Sequence, residues 1–315
     1  MTYIQAIVIA LVQGVTELFP VSSLGHSVLL PAWLGGSWQT LVTQSSEGTS
    51  ESSFYLAYIV ALHVATALAL LWFFRADWVR IVRGLFRSTF RMIKLRRWDV
   101  QDSDERLAWL LIVATIPVGL VGLALEHNFR TLFAKPLAAA IFLFINGCIL
   151  LGGEVLRRKV KARGASVGTT DTTLDPLSAR AAEESDANIA KLSFKDALLV
   201  GILQIAALFA GISRSGVTIV GGLWRGLDHE DAARFGFLLA TPIILAAGVL
   251  KLPTLAGPAG AHIHGQALVG FVVCGVTAYL SVRFLVRYFE TKTLTPFAIY
   301  CLVVGAASVL RFGIG

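Results

Sequence analysis

QGVTELFPVSSLGH, residues 13–26, decides the fold. It sits inside an apolar stretch, residues 3–34, yet it carries Gly14, Glu17, Pro20, Ser22, Ser23, Gly25 and His26. A helix bathed in lipid along its whole length tolerates no such set. Backbone groups freed at Gly and Pro need partners, and lipid offers none. Ionisable groups at that depth mark function by default. A second apolar stretch, residues 194–227, is interrupted in the same way by AGISRSGVT, residues 210–218. Both stretches read as re-entrant helix–loop–helix elements. Placing Gln13 over Gln204, an offset of 191 residues, brings Ala6 onto Ala197, Ser22 onto Ser213 and Gly25 onto Gly216. The strings QGVTELFPVSSLG and QIAALFAGISRSG then align, which is the pattern of an internal repeat.

Around these two regions the chain is membrane-like. Of its 315 residues 56% are hydrophobic and 15% charged, with a mean hydropathy of +0.72. A soluble domain carries about 25% charge, so a soluble enzyme, a disordered chain and a disulfide scaffold are poor fits. Six stretches reach the roughly 20 apolar residues that a span requires: 54–74, 107–125, 134–156, 234–252, 266–289 and 296–313. The expectation is an all-α polytopic protein with six full spans and two re-entrant elements in an inverted-topology repeat. It forms one integral membrane domain, 1–315. The first repeat with an extra span covers 1–156, a flexible cytoplasmic loop 157–193, and the second repeat with an extra span 194–315.

The net charge of +7 is unevenly placed. Nine of 27 basic residues lie between Arg75 and Arg106, and eight between Arg157 and Lys195. Both clusters adjoin spans, so they read as cytoplasmic loops under the positive-inside rule rather than as a nucleic-acid face. That count puts loops 35–53, 126–133 and 253–265 outside, and makes the two re-entrant elements enter from opposite sides. Residues 160–190 look like a solvated insertion. The N-terminus has neither a basic n-region nor a small-residue cleavage site, so no removable signal peptide is expected. Cys148, Cys274 and Cys301 lie in apolar runs outside any CxxC and read as small hydrophobes.

An inverted repeat brings two polar loops together. One supplies Gln13, Glu17, Ser22, Ser23 and His26, the other Ser213, Arg214, Ser215 and Thr218. Arg214 beside hydroxyls and a helix start makes a phosphate cradle, or an internal partner for Glu17. Glu17 shares a helix face with Gln13 and is open to three roles: base, orienter of His26, or ligand of a divalent cation. Ser23 and His26 are three apart, which allows a Ser nucleophile with a His base, or a His nucleophile with Ser as phosphate ligand. Ser22 and Ser23 are alternatively N-caps. His63 lines the cavity or is a satisfied interhelical histidine. Asp228 and Asp231 read as a helix cap and its first turn, and His262 and His264 as loop residues.

These motifs resemble those of the undecaprenyl-diphosphate phosphatases of the bacitracin-resistance family. In that family the first motif is Glu or Gln, three residues, Glu, then P-[IV]-S-S-x-G-H, and it is met here by Gln13, Glu17, Ser22, Ser23, Gly25 and His26. The second, P-G-x-S-R-S-G-x-T, is met by Ser213, Arg214, Ser215, Gly216 and Thr218. DAARFGFLLATP, residues 231–242, resembles a third region. Three departures are Ala210 for Pro, Gly236 for Ser, and Gln13 in the alternative to Glu.

The resemblance implies a multi-pass enzyme of the bacterial inner membrane with its active site open to the periplasmic face. It implies removal of the terminal phosphate of undecaprenyl diphosphate, a membrane lipid, to regenerate the carrier of peptidoglycan synthesis. Bacitracin tolerance follows, because the antibiotic sequesters that diphosphate. Carried over residue by residue, the catalytic set is Glu17, Ser23, His26 and Arg214. Phosphate is bound by Ser22, Ser213, Arg214, Ser215 and Thr218. A divalent cation, Mg²⁺ or Ca²⁺, falls to Glu17 and Gln13. A homodimer is a possible assembly and nucleic acid is not a partner. The different-class alternative is a flippase or secondary transporter of phosphate or polyprenyl phosphate, since broken helices also serve transport.

Overall fold

The apolar runs form helices throughout. The computed structural model describes residues 1–47, 54–124, 135–162, 175, 177–256 and 263–314, and their regular structure is all helical. In chain order the helices are α1 (Tyr3–Thr16), α2 (Ser23–Leu34), α3 (Gly36–Glu47), α4 (Phe54–Phe73), α5 (Arg75–Leu95), α6 (Ser103–Ala124) and α7 (Pro136–Ala162). They continue with α8 (Ala179–Ile189), α9 (Phe194–Leu203), a 3₁₀ turn (Gln204–Leu208), α10 (Arg214–Trp224), α11 (His229–Ala256), α12 (His264–Thr291) and α13 (Thr295–Ile314).

Five of these helices hold a stretch long and apolar enough to cross a membrane: Ser103–Ala124, Pro136–Lys159, His229–Gly248, His264–Thr291 and Thr295–Ile314. They coincide with five of the six spans read from sequence. The sixth, 54–74, is α4, and the chain bends by 84° immediately after it into α5. The basic segment 75–106, read as a loop, is therefore mostly helix. α5 buries Asp77, Ile81, Gly84 and Ser88 and turns its other side outward.

The main pairings that hold the bundle are α7 on α13, α1 on α12, α4 on both α11 and α12, α10 on α11 and α9 on α6. Lipid gives helices no hydrophobic reason to associate, so close backbone approach decides. The α7–α13 crossing shows this. A Cβ at Gly147 would lie 2.9 Å from the Ala298 carbonyl oxygen, and one at Gly305 would lie 2.6 Å from the Phe144 nitrogen.

The described end of the segment 160–190, residues 177–190, is helical and partly buried where a solvated loop was expected. α7 continues to Ala162, and α8 buries Ser185, Asp186 and Asn188. Asp186 explains the docking. It accepts from Nε and Nη2 of Arg234 at 2.8 and 3.1 Å and from Arg80 at 2.6 Å. Arg80 and Arg234 also reach Asp77, at 2.9 and 3.1 Å. Buried charge this expensive persists only when paired. Residues 163–174 lie outside the described residues, as do the expected loops' centres at 48–53, 125–134 and 257–262, which include His262.

In LDHEDAARFGF, Asp228 caps α11, and Asp231 in its first turn reaches α8. Asp228 accepts from the Asp231 N–H at 2.9 Å, and Asp231 accepts from Ser185 at 2.5 Å. His264, read as a loop residue, is the first residue of α12. Cys274 and Cys301 are buried free thiols, and Cys148 is free on the outside of the bundle.

Candidate active site

Two helices start where the two polar loops meet. α1 ends at Thr16, and the chain turns through Pro20 to Ser22, the N-cap of α2. Ser22 has φ +70°, a conformation that non-glycine residues rarely adopt. Its side chain explains why it is held there. The Ser22 hydroxyl accepts from the Gly25 N–H at 3.3 Å and from the Gly211 N–H at 3.0 Å. In the second loop the 3₁₀ turn leads through Gly211, φ +112°, to Ser213, the N-cap of α10, whose hydroxyl accepts from the Gly216 N–H at 3.1 Å.

The 191-residue offset maps one loop's chemistry onto the other's. Capping boxes open α1 (Thr2 with Gln5) and α9 (Ser193 with Asp196) at that spacing. The N-caps Ser22 and Ser213 obey it, and so do the first helical residues, Ser23 and Arg214. The contacts between loops interchange as well. A Cβ at Gly25 would meet the Gly211 Cα at 3.0 Å, and one at Gly216 would meet the Pro20 Cβ at 3.4 Å; Pro20 and Gly211 are 191 apart. Asn146 of α7 pins both loops, donating to the Pro20 carbonyl at 2.9 Å and accepting from the Ser213 N–H at 3.0 Å.

Gly211 is a direct test of this assembly. Any side chain there would strike α7, with the Leu143 nitrogen and the Phe142 Cβ each 2.7 Å from the added carbon. The left-handed backbone adds a penalty of about 1–2 kcal/mol. Gly211→Ala is expected to lower thermal stability in detergent by at least about 2 kcal/mol, as overpacking does, and a melting temperature equal to wild type would contradict the close approach.

Glu17 is the hub. Its side chain is 6% exposed, and one carboxylate oxygen, Oε2, receives three groups. The Gln13 amide donates at 2.9 Å, Ser23 donates its hydroxyl proton, and the His63 Nε2 stands 3.2 Å away. His63 is the residue that sequence left between cavity and packing; its Nδ1 faces the Ile59 carbonyl at 2.8 Å, so that nitrogen carries hydrogen. Arg214 lies within electrostatic range of both Glu17 and His63. Its Nη1 is buried without a hydrogen-bond partner. The direct Glu17–Arg214 ion pair weighed from sequence is replaced by Glu17–His63.

His26 stands apart from Ser23 and Glu17 in its bonding. Its Nδ1 contacts the Ser22 carbonyl at 2.7 Å and its Nε2 the Tyr300 hydroxyl at 2.8 Å, with the two rings stacked 5.7 Å apart. The carbonyl can only accept, so Nδ1 bears the hydrogen and Nε2 the lone pair.

The other hydroxyls are occupied by backbone. Ser215 donates to the Phe19 carbonyl at 3.2 Å and lies 3.0 Å from the Ser213 hydroxyl, while Thr218 donates to the Arg214 carbonyl at 2.7 Å. Ser22, Ser213, Ser215 and Thr218 are all buried, and in this state they cap and brace the loops. Gly236, where the family pattern has Ser, lies against Thr218, at ordinary packing distance for an added carbon, 3.5 Å. Sequence reading missed Asn146 and Tyr300. A lone amide in the span 134–156 was the available signal for Asn146; Tyr300 offered none.

The donor set suits a hard cation in part. Gln13 Oε1 is buried with no hydrogen-bond partner beside the Glu17 carboxylate. Among the described residues no group of three or more His, Cys, Asp or Glu side chains forms a metal cage. Mg²⁺ commonly takes one or two protein oxygens and completes its shell from water and substrate phosphates, and Gln13 with Glu17 fits that pattern. Two helix N-termini, an unpaired guanidinium nitrogen and a carboxylate-bound serine thus converge at one place, which suits a phosphoryl group.

Comparison with known proteins agrees. The family model of the bacitracin resistance protein BacA matches residues 6–307. Undecaprenyl-diphosphatase 2 of Frankia alni is 54% identical over 345 aligned positions, covering 100% of this chain and 99% of that protein. The undecaprenyl-diphosphatases of Mycolicibacterium paratuberculosis and Mycobacterium avium are each 56% identical over 310 positions, covering 98% of this chain and 97% of theirs. With its two motifs on facing helix starts and relatives matched from end to end, this chain belongs to the BacA bacitracin resistance family.

Proposed function

We propose that this chain hydrolyses undecaprenyl diphosphate to undecaprenyl phosphate and inorganic phosphate, recycling the peptidoglycan lipid carrier and so conferring bacitracin tolerance. The observation that carries the chemistry is Ser23, the first residue of α2, donating its proton to Glu17 while Arg214, the first residue of α10, keeps a buried guanidinium nitrogen unpaired. The isoprenyl tail stays among the helices and the diphosphate enters between the loops. Arg214 and the two helix N-termini hold the terminal phosphoryl oxygens and offset the charge that develops on them. Ser23 Oγ attacks phosphorus as its proton passes to Glu17. The bond from phosphorus to the bridging oxygen breaks, and undecaprenyl phosphate leaves. Water then cleaves the phosphoserine, and the Ser23 proton is restored. A divalent cation held by Gln13 and Glu17 would supply further charge neutralisation at the diphosphate.

The geometry favours Glu17 over His26 as the group that takes the serine proton, because Ser23 already bonds to Glu17. One observation favours a second role for His26: its Nε2 lone pair is covered only by Tyr300. That nitrogen is available as a base to the hydrolytic water once Tyr300 swings away. Tyr300→Phe is expected to leave folding intact and change kcat/KM by about tenfold or less, within the range of one hydrogen bond. A wild-type pH profile and rate in Tyr300→Phe would remove Tyr300 from the reaction.

For the fold, the proposal is six spans and two re-entrant elements, α1–α2 and α9–α10, related by inverted topology, with repeats in 1–156 and 194–315. The interchanging contacts at the 191-residue offset support it. The basic segments beside α5 and α8 support a cytoplasmic side for them, with the site opening to the periplasmic face of the inner membrane. The test is a rapid quench in neutral denaturing detergent, which preserves phosphoserine and phosphohistidine alike, with undecaprenyl diphosphate radiolabelled on its terminal phosphate. Label on the peptide that holds Ser23 is expected. Label on His26, or inversion at phosphorus with no covalent label, would overturn the serine route.

A further inference from the structure

Among the described residues, α5 has a face that nothing in the bundle covers. Its inner side, Asp77, Ile81, Gly84 and Ser88, packs on α6, where a Cβ at Gly84 would come within 3.0 Å of the Glu105 nitrogen. On the outer side Val79, Val82, Phe86, Phe90 and Ile93 recur at the spacing of one helical stripe, with Phe86 59%, Phe90 70% and Ile93 68% exposed. The direction of the helix makes this meaningful. One residue, Phe74, separates α5 from α4, and the two axes diverge by 84°. If α4 crosses the bilayer, α5 runs along its surface, where the span emerges.

Charge is placed to match. Arg83 and Lys94 are exposed beside the apolar stripe, and Arg96 and Arg97 follow the helix. Arg80, Arg87 and Arg91 are already paired with Asp186, Glu105 and Asp99. Arg83 and Lys94 take no part in those pairs. An apolar stripe flanked by free basic side chains, lying parallel to a membrane, is the pattern of an interfacial helix. Anionic headgroups on the cytoplasmic leaflet attract such side chains.

We propose that α5 docks on an anionic lipid surface, with Val79, Val82, Phe86, Phe90 and Ile93 sunk at the level of the upper acyl chains and Arg83 and Lys94 paired with lipid phosphates. The proposal is independent of the catalytic reading. It is tested by spin labels at Phe86→Cys and, separately, Phe90→Cys, in a full-length Cys148→Ala background whose remaining cysteines are buried. The protein is placed in phosphatidylcholine vesicles with and without phosphatidylglycerol. At both sites dissolved oxygen is expected to relax the label more than a water-soluble nickel complex does, the reverse of a label at Arg97→Cys. Phosphatidylglycerol is expected to slow label motion, and Arg83→Gln with Lys94→Gln to remove that slowing. Nickel dominance at both sites, or dipolar broadening that reveals a second copy on this face, would overturn the docking. Indifference to phosphatidylglycerol would overturn the headgroup pairing.

Discussion

Arg214→Ala is expected to lower phosphate release from undecaprenyl diphosphate by at least about 100-fold, with most of the loss in kcat. Removing one preorganised donor from a developing oxyanion costs about 10²–10³ in rate, and Arg214 brings a full charge in place of a neutral dipole. Its buried Nη1 has no protein partner to lose, so the substitution leaves no orphaned carboxylate behind. The protein should fold and still bind substrate, weakly. Arg214→Lys supplies the charge without the planar fork and should recover only part of the rate. A parallel assay of phosphate release and thermal melting separates these outcomes; wild-type kcat in a folded Arg214→Ala protein would remove Arg214 from the site.

Ser23→Ala has the larger expected effect, on the order of 10⁴-fold or more, as for loss of a nucleophile whose partners act as a unit. It also predicts a qualitative change, the disappearance of the trapped phosphoenzyme. Since Ser23 and Glu17 share one proton, Ser23→Ala and Glu17→Gln should be strongly non-additive, the double variant falling little below Ser23→Ala alone. Additive losses in that pair would mean that Glu17 serves substrate or cation independently of the serine. Residual phosphohistidine in Ser23→Ala would transfer the nucleophile's role to His26.

Much of this was legible in the sequence because it is local. The interruptions at Pro20–Gly25 and Gly211–Gly216 announced the two loops, and hydroxyl residues followed by glycine announced the N-caps that Ser22 and Ser213 provide. Five spans are visible from hydropathy alone, since about 20 consecutive apolar residues have few other uses. Non-local partners were not legible. His63 reaches Glu17 from 46 positions away, and Tyr300 reaches His26 across 274. No spacing rule connects them, so the expected Ser23–His26 pair gave way to Ser23–Glu17 and His26–Tyr300. Hydroxyls that seemed free for phosphate are engaged by Phe19 and Arg214 carbonyls, a cost of starting helices inside an apolar medium where each backbone group must be met.

The burial of α8 within the segment 160–190 was hidden for the same reason. The segment's composition is that of a solvated loop, and only Arg80 and Arg234, supplied by distant helices, give Asp186 a reason to be buried. The bend at Phe74 was hidden because α4 and α5 read as span then basic loop, while amphipathic periodicity in a basic stretch is weak evidence without the axis direction. Fold class and motif positions thus came from the chain's local chemistry, and the wiring of the site from its tertiary contacts.

The most direct measurement is the product balance of purified protein in detergent, with no membrane gradient, given undecaprenyl diphosphate. Equimolar inorganic phosphate and undecaprenyl phosphate over many turnovers is the expected result, with both products lost together in Ser23→Ala and Arg214→Ala. Tight binding of the diphosphate with no phosphate released, by protein that still moves the lipid between leaflets in vesicles, would contradict hydrolysis at these two loops.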